Sequence, residues 1–275
     1  MGWKETIRAL RRDYIKTAED YVTDVMPKLD YNQTKQIKKN TSDFISKIYS
    51  NSYTRYLKDE QIVSKEVIEN LLLTPEAKTF LKNTAKPLSD EISKNVDDEK
   101  VKDIVTELLS SSLHTFNEQI YQFNLSTTNS RRARSGKTFE IIIQILCEDV
   151  YGYPVNTQAM VGRPIWDGNN LKKIDFLIPD LKTYRTNRVN SLLISTKTSL
   201  KERWEQIVSE LVISRAPQIY LCTLDKTINE GLIQSMSEHN ITLVLLKKQK
   251  EKFKSHSNVI SFETLFNTVI PKALS

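Results

Sequence analysis

The residues best suited to chemistry stand in two apolar runs. Asp175 interrupts Lys173-Ile174-Asp175-Phe176-Leu177-Ile178, and Lys197 leaves Leu192-Leu193-Ile194-Ser195-Thr196. Both runs read as buried β-strands. A carboxylate inside such a run must be hydrogen-bonded or sit where the sheet opens. An aspartate and a lysine on neighbouring strands form the core of many Mg²⁺-dependent enzymes that cut DNA. The usual second acid of that core would stand at 195, where this chain has Ser195.

Two other carboxylates can complete the set. Glu210 lies on the helix expected over 200–214, where Trp204, Ile207, Val208 and Leu211 form the apolar face and Glu210 flanks it. Glu140 opens an apolar helix expected over 138–151. Carboxylates with a lysine suit phosphodiester hydrolysis. Mg²⁺ binds through one or two carboxylates plus substrate phosphate, neutralises charge and acidifies the attacking water. The lysine then stabilises developing charge. Each residue also has a plainer reading: Asp175 as a strand-end cap, Lys197 as a solvated lysine, Glu210 as a surface acid. For Glu140 it is a first-turn Glu favoured by the helix dipole.

Two basic clusters flank these candidates. Arg131, Arg132, Arg134 and Lys137 gather four positive charges at an expected helix entry, where backbone N–H groups favour phosphate. Gly136-Lys137-Thr138 is not the tail of a P-loop, because the upstream glycine is replaced by Arg131. Lys201-Glu202-Arg203 opens the helix after Lys197. Lys and Arg donate to O6 and N7 of guanine and Glu accepts from N4 of cytosine, so the triplet suits G·C pairs. An exposed, self-paired helix start explains it equally well.

Composition bounds the rest. The chain has 275 residues, 39% hydrophobic and 27% charged, with net charge +6. That is globular composition with a bias toward an anionic partner. Cys147 and Cys222 lie in apolar runs and read as buried free thiols, and His114, His239 and His256 are isolated, which argues against zinc. The start Met1-Gly2-Trp3-Lys4-Glu5 lacks a signal peptide's apolar stretch. No run approaches the roughly 18 apolar residues of a membrane span. A cytosolic protein is expected.

Residues 1–125 read as helical, with Thr74-Pro75-Glu76 as an N-cap followed by Pro. Ser126-Thr127-Thr128-Asn129-Ser130 reads as a hinge. Beyond it, strands are expected at 154–160, 173–178, 191–196, 218–223 and 241–246, and helices at 138–151, 200–214, 228–239 and 261–273. That alternation predicts an α/β domain with a mixed sheet over 126–275.

Taken together, these motifs resemble the EcoRII-like type II restriction endonucleases. The resemblance rests on Ser130 to Lys137 with Glu140, Lys173 to Phe176, Ser195 to Thr198, Lys201 to Trp204 and Glu210; it covers 130–225. It implies the PD-(D/E)XK nuclease fold and Mg²⁺-dependent cleavage of double-stranded DNA at CC…GG sites, CCNGG or CCWGG. Asp175 and Glu210 would be metal ligands, Lys197 the catalytic lysine and Glu140 a further acid. In this subgroup the second acid moves from strand to helix, which accounts for Ser195. Lys201, Glu202 and Arg203 fall where the family reads C·G pairs; many members have Arg where this chain has Lys201. Some members flip the central bases onto an aromatic side chain, a role open to Tyr53, Tyr56 or Trp3. A homodimer is expected because it matches two-fold DNA symmetry, in a prokaryotic cytosol with a companion methyltransferase; the helical 1–125 region, which the resemblance does not cover, would serve DNA binding or dimerisation. The alternatives are a repair or structure-specific nuclease of the same core, or a DNA-binding protein that has lost its acid.

Overall fold

The computed structural model describes residues 2–93, 98–165, 168–200, 204–214 and 216–275. In chain order its principal elements begin with α1 (Trp3–Tyr14), α2 (Ala18–Thr23), α3 (Tyr31–Lys39), α4 (Thr41–Leu72), α5 (Pro75–Ile92), α6 (Asp98–Thr115) and α7 (Asn117–Ile145). Then come β1 (Asn156–Ile165), β2 (Gly168–Ile178), α8 (Leu181–Thr186), β3 (Leu192–Lys197) and α9 (Trp204–Ser214). β4 (Ile219–Thr223), α10 (Glu230–Glu238), β5 (Ile241–Leu245) and β6 (Val259–Ser261) follow, and helical turns over 262–274 close the chain. Among the described residues no helix is long and apolar enough to cross a membrane. The chain divides into two compact units, Met1–Thr17 with Thr54–Ala133, and Ala18–Tyr53 with Arg134–Ser275.

The first unit is helical. Ile7, Val63 and Val67 are buried together against Trp3, Leu10 and Phe123. Thr74 Oγ1 accepts from the Ala77 amide at 3.2 Å, the expected cap of α5. Glu60, 1% exposed, needs partners at that depth. It meets Arg11 at 3.6 Å, accepts from Tyr56 Oη at 2.6 Å and is bonded by Arg131. Burial and the Glu60 contact push the Tyr56 hydroxyl up to about 12.

The segment 126–130, expected as a hinge, is helical and continuous within α7. Tertiary bonds override its weak local propensity. Ser126 Oγ and Thr127 Oγ1 accept from Arg11 at 3.1 and 2.7 Å, and Ser130 Oγ bonds Tyr56 at 3.2 Å.

The second unit is built on a sheet of order β1-β2-β3-β4-β5-β6. β1, β2 and β3 pair antiparallel, while β3 to β6 pair parallel. This is the expected mixed sheet; β6 and α8 are additions, too short to leave a periodic signal. Successive side chains along a strand face opposite sides. Leu192, Ile194, Cys222 and Val244 therefore pack with Phe139 and Ile142 of α7. Leu193, Leu221 and Leu243 pack with Ile207 of α9 and Ile233 of α10. Both cysteines are buried free thiols as expected, and burial pushes Cys147 up to about 12.

Candidate active site

The β2–β3 pairing matches Phe176 with Ile194 and Leu177 with Leu193. Continued one step, that register sets Asp175 across from Ser195. Asp175 Oδ2 accepts from the Thr196 amide at 2.6 Å and from Thr196 Oγ1 at 2.9 Å. Lys197 Nζ lies 3.9 Å from the same oxygen, with both side chains largely shielded at 18% and 15% exposure. Two hydrogen-bond donors and one ammonium group thus converge on one carboxylate oxygen. Asp175 is more than a turn cap, and Lys197 is not merely solvated.

Ser195 points the other way, toward α9. Its hydroxyl donates to Glu210 Oε2 at 2.5 Å, and the two residues are 1% and 6% exposed. Ile207, one turn earlier, is fully buried and seats α9 on the sheet. Glu210 is therefore buried against β3, not on the surface.

Glu140 lies deep within α7, which begins at Asn117, so the first-turn reading of this acid does not hold. Its Oε2 accepts from Lys137 Nζ and from Gln158 Nε2, each at 3.2 Å. Gln158 has φ 55°, a left-handed conformation uncommon in a side-chain-bearing strand residue. It falls between the pairs Thr157↔Phe176 and Ala159↔Ile174, across from Asp175. At that point β2 breaks its alternation: Ile174 packs on the α9 face, yet Phe176 packs on the α7 face. The irregularity that frees the Asp175 carboxylate is matched on β1 by Gln158, which ties the same place to Glu140. Sequence reasoning passed over Gln158, since nothing in a lone Gln signals positive φ.

Two further contacts fix the segment after Lys197. Thr198 Oγ1 accepts from Ser135 Oγ at 3.0 Å, and Ser135 bonds Tyr49 Oη at 2.7 Å. Asp225 is buried and accepts from the Leu200 amide at 2.6 Å and from the Thr227 amide and hydroxyl at 2.8 and 2.6 Å. Burial alone would raise the Asp225 carboxyl, but bonds from Thr227, the Leu200 amide and Ser199 outweigh it and leave it below its ordinary value. Its carbonyl also accepts from Gln249, so Asp225 joins the segments that follow β3, β4 and β5. Its sequence, Thr-Leu-Asp-Lys-Thr, reads only as a turn.

Among the described residues no three His, Cys, Asp or Glu side chains converge as a metal cage. The donor set nevertheless fits a hard cation, which needs one or two carboxylates and leaves the remaining positions to water and phosphate. Asp175 Oδ1 makes no hydrogen bond among the described residues, leaving a lone-pair oxygen available.

The basic cluster at 131–137 lies inside α7 and not at a helix entry, so no helix N-terminus assists it. Arg131 is bonded to Glu60, Arg134 lies 5.9 Å from the centre of the Tyr21 ring, and Lys137 pairs with Glu140, while Arg132 is exposed. Lys201, Glu202 and Arg203 lie outside the described residues. Of the aromatic candidates, Tyr56 is fully buried, Trp3 Nε1 donates to the Gln119 carbonyl at 2.9 Å, and Tyr53 stacks on Tyr49 at 5.9 Å.

The chain is 32% identical over 178 residues to the type II restriction enzyme SsoII of Shigella sonnei, covering 64% of this chain and 58% of the relative. It is 30% identical over 131 residues to the type II restriction enzyme EcoRII of Escherichia coli, 46% of this chain and 30% of that one. The chain thus spans less than two thirds of these curated relatives. A solved structure of metal-depleted Ecl18kI in complex with uncleaved DNA superposes with TM-score 0.75 and 25% identity, over 99% of this chain and 84% of the other. A PspGI–substrate DNA complex shares the fold, with TM-score 0.55 and 16% identity over 100% and 93% of the two chains. These neighbours show the restriction-endonuclease fold. The EcoRII C-terminal family model matches residues 94–266, and with that match over more than half its length the chain belongs to this family.

Proposed function

We propose that the protein is a type II restriction endonuclease that hydrolyses double-stranded DNA at a short CC…GG site, CCNGG or CCWGG, leaving 5′-phosphates. The observation that carries this reading is that three successive residues of β3 engage both acids: Ser195 bonds Glu210, Thr196 bonds Asp175, and Lys197 lies beside Asp175. Asp175 and Glu210 are the residues that would hold Mg²⁺. When bound, the ion neutralises the scissile phosphate and lowers the pKa of water.

The chain's own groups do the rest. Lys197 donates to the attacking water or to a phosphate oxygen as charge builds there. Thr196 holds the Asp175 carboxylate in place through its amide and hydroxyl. Glu140, oriented by Gln158, supplies a further acceptor at the edge of the site. Attack on phosphorus breaks the P–O3′ bond, so the phosphate stays with the 5′ end. Lys201, Glu202 and Arg203 would read the C·G pairs from the segment that leaves β3. Arg131, Arg132, Arg134 and Lys137 would contact the phosphate backbone. A homodimer matches a two-fold symmetric site. The relatives are named as bacterial restriction enzymes, which supports a cytoplasmic setting with a companion methyltransferase.

Digestion of a plasmid of known sequence in Mg²⁺, followed by sequencing of the fragment ends, tests the reading. Fixed ends within CC…GG are expected. A ladder without fixed ends would instead indicate a repair or structure-specific nuclease. Asp175→Ala and Lys197→Ala are each expected to abolish cleavage and retain specific binding; retained Mg²⁺-dependent cleavage in either would overturn the assignment of the site.

A further inference from the structure

The first unit contains a cleft that the residues of the proposed cleavage site do not line. It lies between α1 and α7 and has a volume of about 310 Å³. Over a floor that includes Ile7, its polar lining is Lys4 and Arg8 from α1 and Gln122, Ser126 and Asn129 from α7.

The charges in this cleft are not used internally. Lys4 and Arg8 stand one turn apart, so their side chains share a face of α1. Both are exposed, and neither has an acidic partner among the described residues. The other cations of α1 are engaged differently: Arg11 turns inward to Glu60, Ser126 and Thr127, and Arg12 lies 3.9 Å from Asp13.

The facing wall is rich in donors. Ser126 Oγ accepts from Arg11 Nε at 3.1 Å, which leaves its own proton to give elsewhere. The Asn129 side chain makes no hydrogen bond among the described residues. The nearby Glu118 carboxylate is occupied by Gln122 Nε2 at 2.7 Å. Two exposed cations facing neutral polar groups, with no acid among the described residues that line the cleft, form a receptor for a phosphodiester. Such contacts take cationic and neutral donors alike and carry no base sequence.

We propose that this cleft seats phosphates of the DNA backbone, with Lys4 and Arg8 as its two charged contacts and Ser126 and Asn129 as neutral donors. This assignment rests on the endonuclease reading, which makes DNA the ligand. It gives the first unit a grip on DNA that is independent of sequence.

The test is the salt dependence of binding, measured by fluorescence anisotropy without divalent metal on one duplex with a CC…GG site and one without. Each phosphate neutralised contributes about 0.9 to the slope of log K against log salt. Lys4→Ala/Arg8→Ala should therefore lower the slope by about 2 on both duplexes and weaken binding at least tenfold near 0.1 M salt. Arg12→Ala, which removes a charge outside the cleft, should leave the slope unchanged. Because both cleft cations are exposed, the double variant should melt as the wild type does. An unchanged slope in the double variant, or an equal drop per charge in Arg12→Ala, overturns the cleft assignment alone. Wild-type protein that binds neither duplex overturns the endonuclease reading and this one with it.

Discussion

Ser195 gives its hydroxyl to Glu210 over 2.5 Å, and the next residue, Thr196, gives its amide and hydroxyl to Asp175. Two acids from different elements are thus gripped by neighbouring residues of one strand. Where the usual motif would place a strand acid, this chain has a hydroxyl that reaches Glu210.

Ser195→Ala should leave the fold intact and loosen Glu210. Removing a partner that orients a metal-binding carboxylate costs about tenfold to a hundredfold in metal affinity or activity. A titration of cleavage rate against Mg²⁺ should shift to higher concentration by that factor, and the melting temperature should fall by a few degrees because a buried carboxylate loses a donor. A curve superimposable on the wild type would mean that Ser195 only fills space.

Gln158→Gly should separate stability from activity. Glycine relieves the cost of the left-handed backbone at φ 55°, worth about 1 kcal/mol, so the melting temperature should rise by a few degrees. Glu140 loses its amide donor at the same time, and cleavage should fall about tenfold. Loss of both properties together would argue that Gln158 serves packing alone.

Asp225→Asn turns one acceptor into a donor facing the Leu200 amide or Thr227. Bonds to a charged acceptor contribute about 1.5–3 kcal/mol each, so the variant should melt several degrees lower at neutral pH. The carboxyl of folded Asp225 lies below its ordinary value. Its contribution is therefore complete above the ordinary carboxylate range and lost as pH falls through the folded value. The melting gap between wild type and variant should shrink toward strongly acidic pH. A gap that widens there would be the wrong sign for this account.

Lys201→Arg bears on recognition. A planar guanidinium can bond O6 and N7 of one guanine at once, whereas an ammonium is a point charge. Discrimination against a single substituted C·G pair should improve by about 1 kcal/mol, read as a ratio of kcat/KM values on the two sites. Lys201→Ala should relax it. Equal ratios in all three proteins would remove Lys201 from the reading surface.

Much of the site was legible because polar residues are conspicuous in buried strands. Asp175 and Lys197 interrupt or end apolar runs, and Glu210 betrays itself by flanking the apolar face of its helix. The mixed sheet followed from the alternation of short apolar runs with helical ones. What escaped is tertiary. Ser126 to Ser130 has a hinge's composition, yet Arg11 and Tyr56 bond its hydroxyls inside an unbroken helix. Arg131 to Lys137 consequently sits mid-helix, away from any free N-terminus. Gln158 and Asp225 carry no local signal at all; one depends on a twist of β1 and the other on where three strands end.

The pairing of β3 with β4 sets Ser195 beside Leu221, Thr196 beside Cys222 and Lys197 beside Thr223. Side chains alternate with period two, so a slip of one residue would turn Ser195 away from Glu210 and Thr196 away from Asp175. β4 supplies no reactive group: it is buried throughout, and burial holds the Cys222 thiol far from its reactive form. Its task is that of a ruler. On the proposed function, fidelity of the cut would be inherited from an apolar ladder, and a substitution on β4 that merely shifts registry would disarm the proposed nuclease as surely as loss of Lys197.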